Sequence, residues 1–299
     1  MRARSVLTVG IAAALAAATP ASGAFPGKNG LIAFVQLKHF SPDIWVVGPK
    51  GGKGKDITRT RQFAEFSPSF SPDGRTIAFF WTSRSRIQQG IGIVGANGKG
   101  LRHLTTGNGT SDFYEHPSWS ADGKSILYTR GHNDSNGEPV WEIWSIPAHG
   151  GAQQRLLSDG SPRLSVTSPI GSQLAYLVVD PLGQGEDVLE TSDFSGANVV
   201  KVGGQAPVSD WSPDGKRFVY IAHLAVTSRA ADGGGAPTLV ARSPMRDEDP
   251  SYSPDGRFVI WSNEATHDLW IANAGGGGAH IFTHQPGFAK EPSWGPARH

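Results

Sequence analysis

Seven side chains carry the chemistry this sequence offers: Glu65, His116, His132, His223, Asp249, His267 and Glu291. A set of carboxylates and imidazoles can hold a divalent cation or grip a basic segment of a partner. Three of the seven share a context. His116, Asp249 and Glu291 each stand immediately before the proline of a Pro-Ser-aromatic triplet, at Pro117, Pro250 and Pro292. Further polar residues lie in comparable stretches: Glu115, Arg163 and Glu248 before such triplets, and His39, Arg84, Asp134, Asp180 and Glu264 in other loops. No pair has the spacing of a metal motif, so the residue types alone fit ordinary polar loops better than a metal centre.

Nucleophilic and phosphate chemistry have less support. There is no Gly-x-Ser-x-Gly elbow, and the chain has no cysteine. Gly123-Lys-Ser125 ends like a phosphate loop, but Ser118 stands where that motif needs glycine. Asn133–Glu138 resembles part of a calcium loop, yet Ile143 occupies the twelfth position counted from His132, so an Asx-rich turn fits better. The Gly275–Gly278 run reads as a hairpin tip.

The elements that must position these residues follow from a repeat. Four copies are clear: Pro68-Ser-Phe-Ser-Pro-Asp-Gly74, Pro117-Ser-Trp-Ser-Ala-Asp-Gly123, Ser209-Asp-Trp-Ser-Pro-Asp-Gly215 and Pro250-Ser-Tyr-Ser-Pro-Asp-Gly256. A degenerate copy ends Ser168-Pro-Ile-Gly171, and a sixth is split between Pro292-Ser-Trp-Gly-Pro296 and Asn29-Gly30. A period in the forties with strand-like segments is the signature of four-stranded propeller blades. In each copy the turn chemistry is explicit. Proline presets φ, Asp73, Asp122, Asp214 and Asp255 bond local backbone, and Gly74, Gly123, Gly215 and Gly256 take the left-handed conformation. The expected fold is all-β: a six-bladed propeller of antiparallel four-stranded blades, closed by the C-terminal strand pairing with the N-terminal blade.

Within a repeat, an aromatic inner strand and the turn are followed by a β-branched second strand such as Thr76–Phe80. A third strand begins with an acid at Asp43, Glu142, Asp187 and Asp268, and a glycine-rich hairpin leads to an outer strand such as Asp56–Thr58. The recurrence of those acids suggests a structural bond to a neighbouring loop. In the repeat from 209 to 243 the third strand is expected at Leu224–Ser228, and Lys50–Lys55 reads as a solvated hairpin tip. Phe70, Trp119, Trp211, Tyr252 and Trp294 recur at one inner-strand position, with Thr167 in the degenerate copy. Packing between blades is the expected role, rather than a ligand cage. Repeat symmetry aims His116, Asp249 and Glu291 at a common axis, so the seven candidates are expected at the channel mouth.

Arg2 and Arg4, the apolar residues 6–18, and the small residues Ser22-Gly-Ala24 read as a secretory signal peptide cleaved after Ala24. Residues 25–299 then form the exported propeller, periplasmic or secreted, with no membrane insertion after cleavage. Without cysteine there is neither a lipid anchor nor a disulfide. A formal net charge of +1 argues against a nucleic-acid surface. A monomer is expected.

At Ser71-Pro-Asp-Gly-Arg-Thr-Ile-Ala-Phe79, Ser253-Pro-Asp-Gly-Arg-Phe-Val-Ile-Trp261 and Asp268-Leu-Trp-Ile-Ala-Asn-Ala-Gly275 the chain resembles the TolB-type propeller family of WD40-like repeats. The resemblance covers about residues 25–299. TolB is periplasmic, acts by binding partners and carries an α/β domain before its propeller; here Phe25–Leu31 leads directly into the first blade, so that domain is not expected. The resemblance implies an exported, non-catalytic module that recognises a protein or carbohydrate partner through the loop face and channel, with no required cofactor. TolB-like propellers are also similar to oligogalacturonate lyases, which use a histidine-rich metal site, and to propeller hydrolases and sugar dehydrogenases. The competing reading is therefore a metal-assisted carbohydrate lyase or hydrolase, for which a divalent cation would be the cofactor.

Overall fold

The Ser-Pro-Asp-Gly turns fold as hydrogen-bonded staples. Ser71 Oγ donates to Asp73 Oδ1 at 2.6 Å, and Asp73 Oδ1 also accepts from Arg75 N at 3.0 Å. Ser71 Oγ accepts from Thr76 N, which pins the start of the next strand. The same bonds recur at Ser120/Asp122, Ser212/Asp214 and Ser253/Asp255. Gly74, Gly123, Gly171, Gly215 and Gly256 have φ between 65° and 71°, where a side chain would be strained.

A computed structural model describes residues 24–298, apart from 39–40, 110, 136, 138, 159–161, 179–187, 203–207, 243–246 and 285–286. Six antiparallel sheets form the blades of a propeller. Blade 1 is the seam, in the order Phe288–Pro296, Asn29–Lys38, Ser41–Gly48 and Gly51–Asp56. The inner strands of blades 2 to 6 are Phe63–Phe70, Asp112–Trp119, Pro162–Thr167, Val208–Trp211 and Asp247–Tyr252. Second strands such as Thr76–Ser83 and Ser125–Asn133 carry buried residues on both faces, because each blade is sandwiched between two others.

The recurrent inner-strand aromatics are at most 3 % exposed. Trp119 Nε1 donates to Ser69 O of blade 2, and Trp211 Nε1 to Val166 O of blade 4. In the degenerate blade the Thr167 hydroxyl donates instead to Trp119 O. These rings bury large apolar areas between blades and spend their polar atoms there.

Two strands differ from expectation. In blade 1 the outer strand is Gly51–Asp56, not Asp56–Thr58, because Gly48 pairs with Gly51 across a tight turn and the glycine-lysine segment enters the sheet. In blade 5 the third strand is Ala225–Ala230, because Ala222 pairs with Ala225 and places both His223 and Leu224 in the turn. Blade 2 gains a short fifth strand, Gly107–Asn108, against Gln88–Gln89.

Candidate functional site

Every inner strand breaks register with its neighbour at the same place. Ser67 and Pro68 lie opposite Phe79 alone, between the pairs Phe66–Phe80 and Ser69–Ala78. His116-Pro117, Leu164-Ser165, Asp249-Pro250 and Glu291-Pro292 bulge in the same way, and Ser209 is the extra residue in blade 5. The first residue of each two-residue bulge is left-handed, with φ from 48° to 54° at Ser67, His116, Leu164, Asp249 and Glu291. A bulge bends a strand and re-aims its side chains. Here it turns one residue per blade into a central cavity of about 250 Å³.

Left-handed geometry at a residue other than glycine costs on the order of 1–2 kcal/mol. Ser67→Gly is therefore expected to raise stability by about 0.5–1 kcal/mol, while Ser67→Val lowers it by about 1–2 kcal/mol, since a β-branched side chain tolerates that conformation least. Urea denaturation of the two variants checks the pair.

The cavity wall is acidic. Asp210, Asp249 and Glu291 line it together with His116, Ser67 and Thr167, and among the described residues no lysine or arginine does. Glu291 reaches across the blade boundary to accept the Ser67 backbone N–H at 2.5 Å. Burial lowers the basicity of His116, outweighing the pull of Glu115 and Glu291 toward protonation. Its Nδ1 is sealed from solvent with no hydrogen-bond partner among the described residues. Just outside, Arg163 is held by Glu115 at 3.1 Å and lies 3.8 Å from the centre of the Trp141 ring.

Asp210 is the functional residue that sequence reasoning missed. It occupies the motif position where Ser69, Ser118, Ser251 and Ser293 stand in other blades. Elsewhere the serine hydroxyl accepts a backbone N–H from the next blade, as Ser118 does from Thr167 and Ser293 from Phe70. Asp210 accepts the equivalent N–H of Tyr252 at 2.8 Å, and also Ser251 Oγ at 2.9 Å and Trp211 N at 2.9 Å. Burial pushes its carboxyl up to about 7 against the pull of those hydrogen bonds. The out-of-pattern acid was the available signal.

Of the seven candidates, the structure brings three together at the cavity: His116, Asp249 and Glu291. Glu65 is a correction. It stands two residues before its blade's left-handed residue, where the next blade has Tyr114, and that side of the strand packs inward. It is fully buried and takes hydrogen bonds from Thr60 Oγ1 at 2.6 Å and Thr58 Oγ1 at 3.3 Å. His132 lies off the cavity, its Nδ1 3.9 Å from Glu142, a carboxylate already bonded to Arg155 and Trp144 Nε1. His223 sits in the two-residue turn of blade 5. His267 packs on Phe288, and its carbonyl accepts the Ala289 N–H, joining blade 6 to the seam.

The acids that open third strands make structural bonds. Thr58 Oγ1 reaches Asp43, and Thr283 Oγ1 reaches Asp268. Asp187, His39, Asp180, residues 1–23 and part of Asn133–Glu138 lie outside the described residues. Among the described residues no group of three His, Asp or Glu side chains is placed to hold a metal ion.

These elements define a TolB-like six-bladed propeller with an acidic waist. No protein-family model matches the chain. An uncharacterized protein of Agrobacterium fabrum is 25% identical over 174 residues, 54% of this chain and 55% of that protein, so the chain spans about half the length of this curated relative. Among solved structures, TolB from Acinetobacter baumannii matches 91% of this chain and 68% of its own, with a TM-score of 0.73 and 22% identity. A nidogen/laminin complex contains a propeller matched over 90% of this chain and all of that one (TM-score 0.68, 14% identity). An oligogalacturonate lyase in complex with manganese matches 89% of this chain and 78% of its own (TM-score 0.57, 15% identity). At these identities the likeness is one of fold.

Proposed function

We propose that this chain is an exported binding module that grips a basic segment of a partner protein in its channel. The carrying observation is the cavity wall, where left-handed residues of successive blades present Asp249 and Glu291, Asp210 lines the same cavity, and among the described residues no lysine or arginine contributes. Two half-buried carboxylates, Asp249 and Glu291, lining one cavity favour a guanidinium or ammonium from a partner. The volume suits one or two side chains of a partner loop rather than a whole sugar chain. The likeness to TolB and to a propeller in a nidogen/laminin complex supports a protein partner.

The module carries no resident cofactor in this reading and acts as a monomer. Its formal charge of +1 argues against nucleic acid as a partner. The sequence of residues 1–23 supports export. Among the described residues no helix is long and apolar enough to cross a membrane.

Calorimetric titration with an arginine-rich peptide, a lysine-rich peptide and a neutral oligosaccharide tests the reading. Binding of a basic peptide is expected to weaken with salt. It is also expected to fall at least about tenfold, or about 1.4 kcal/mol, in Asp249→Asn/Glu291→Gln. Oligosaccharide binding that needs added manganese and disappears in His116→Ala would overturn it in favour of a metal-assisted carbohydrate enzyme, the class suggested by the manganese-bound lyase.

A further inference from the structure

The cavity has a lining element that belongs to no blade. Ala24 and Phe25, the first described residues, enter the channel at its turn-bearing end, and each is 2 % exposed. Ala24 N donates to Trp211 O at 3.2 Å, and Ala24 lines the same cavity as Asp210, the residue before Trp211. Phe25 packs with Trp119 and Ala78 in the apolar cluster between blades 2 and 3. Gly27 N then bonds Pro254 O in the turn of blade 6, and Lys28 O accepts the Ala297 N–H at the seam. The segment is thus tied into the ring at successive points.

Asp210 is the group this segment serves. Among the described residues it forms no ion pair with lysine, arginine or histidine, although it is buried in the channel wall. A buried carboxylate without a counter-charge is costly. The single amide N–H at Ala24 is spent on Trp211 O, whereas an ammonium there has three protons and a full charge.

We propose that the leader is cut between Gly23 and Ala24, and that the Ala24 α-ammonium so created remains in the channel as the counter-ion of Asp210. Hydrolysis of that amide by a leader peptidase leaves the oxygen of water on the new Gly23 carboxylate and the free amine on Ala24, where it is protonated. Cleavage there puts Ala21 and Gly23 at the two small-residue positions such enzymes require. This moves the processing site one residue from the reading of Ser22-Gly-Ala24, which would discard Ala24 and its bond to Trp211. It also gives the out-of-pattern acid in blade 5 a role: the serine found in other blades could bridge to the next blade, but could not hold a charged N-terminus.

The proposal rests on the export reading of residues 1–23, and N-terminal sequencing separates the two. Protein exported with its own leader is expected to begin at Ala24. A chain beginning at Phe25 overturns the proposal and leaves export standing; an unprocessed chain beginning at Met1 overturns both. Recombinant protein starting at Ala24 is expected to melt about 5–10 °C above the same protein carrying two extra residues before Ala24. That gap is expected to close in Asp210→Asn. Equal melting in the unsubstituted background overturns the pairing. Should Asp210→Asn fail to fold, acylation of the α-amine in the unsubstituted protein decides: at least tenfold slower labelling in the folded than in the unfolded state is expected, and equal rates overturn the pairing.

Discussion

Removing residues 291–299 is expected to abolish cooperative thermal unfolding. The segment supplies the turn-side half of the innermost strand of blade 1, where Trp294 pairs with Ile32 and Ser293 with Ala33. Trp294 is 2 % exposed and donates Nε1 to Gly30 O, and Ala297 N donates to Lys28 O. Loss of the tryptophan alone costs about 3–5 kcal/mol. The truncation also uncovers the paired edge of Asn29–Lys38 and removes the contacts with blade 2, where Phe70 N donates to Ser293 Oγ. Total stabilities of domains lie at about 5–15 kcal/mol, so this sum exhausts most of the margin. Circular dichroism on heating checks it: a single sharp transition at the full-length temperature would show that the ring does not depend on its seam. A milder version is Gly30→Ala, whose Cβ would stand 2.4 Å from the backbone oxygen of Pro296.

The second large effect is a fall in stability as pH rises. Burial pushes Glu65 from 4.5 up to about 7; the hydrogen bond from Thr60 opposes this, and the charge of Asp43 adds to it. Asp43 itself is pushed up to about 6, by burial first and then by Asp56. These folded-state values lie above the unfolded ones. The native protein therefore holds more protons between about pH 4.5 and 7, and stability falls as pH climbs through that window. For Glu65 alone the shift corresponds to about 3 kcal/mol, present below pH 4.5 and lost above pH 7. The unsubstituted protein is thus expected to melt about 6–10 °C lower at pH 8 than at pH 5. Glu65→Gln keeps the acceptor for Thr60 but cannot ionise, and it is expected to reduce that slope, the remainder coming from Asp43 and Asp210. A melting temperature that rises from pH 5 to pH 8 in the unsubstituted protein would sink the argument.

Glu65 also marks where sequence reading stopped. Its position before an inner strand resembles that of the channel residues, but its environment is made by Thr58 and Thr60, which follow the outer strand of the preceding blade. Nothing near Glu65 in the chain announces those hydroxyls. The left-handed bulges are a clearer case. Ser67, His116, Leu164, Asp249 and Glu291 share no chemistry, so no residue type encodes their φ. The in-phase proline after four of them, Ser67, His116, Asp249 and Glu291, hinted at a common geometry without giving its sign. Lys50–Lys55 is solvated as read, with all three lysines exposed, but the pairing of Gly48 with Gly51 narrows the tip to Pro49 and Lys50 and draws the rest into the sheet.

What the amino-acid sequence determined by itself is the ring. Six in-phase Ser-Pro-Asp-Gly-type turns, one of them split between the two ends, specify both the blade count and the closure, because turn chemistry and strand alternation are local and repeat. What only the tertiary structure decided is the site. His116, Asp249 and Glu291 come from three blades far apart in the chain, and Asp210 and Ala24 meet through a segment outside the repeats. Their convergence depends on bulge geometry and on burial between blades, which are properties of the closed ring and not of any one repeat.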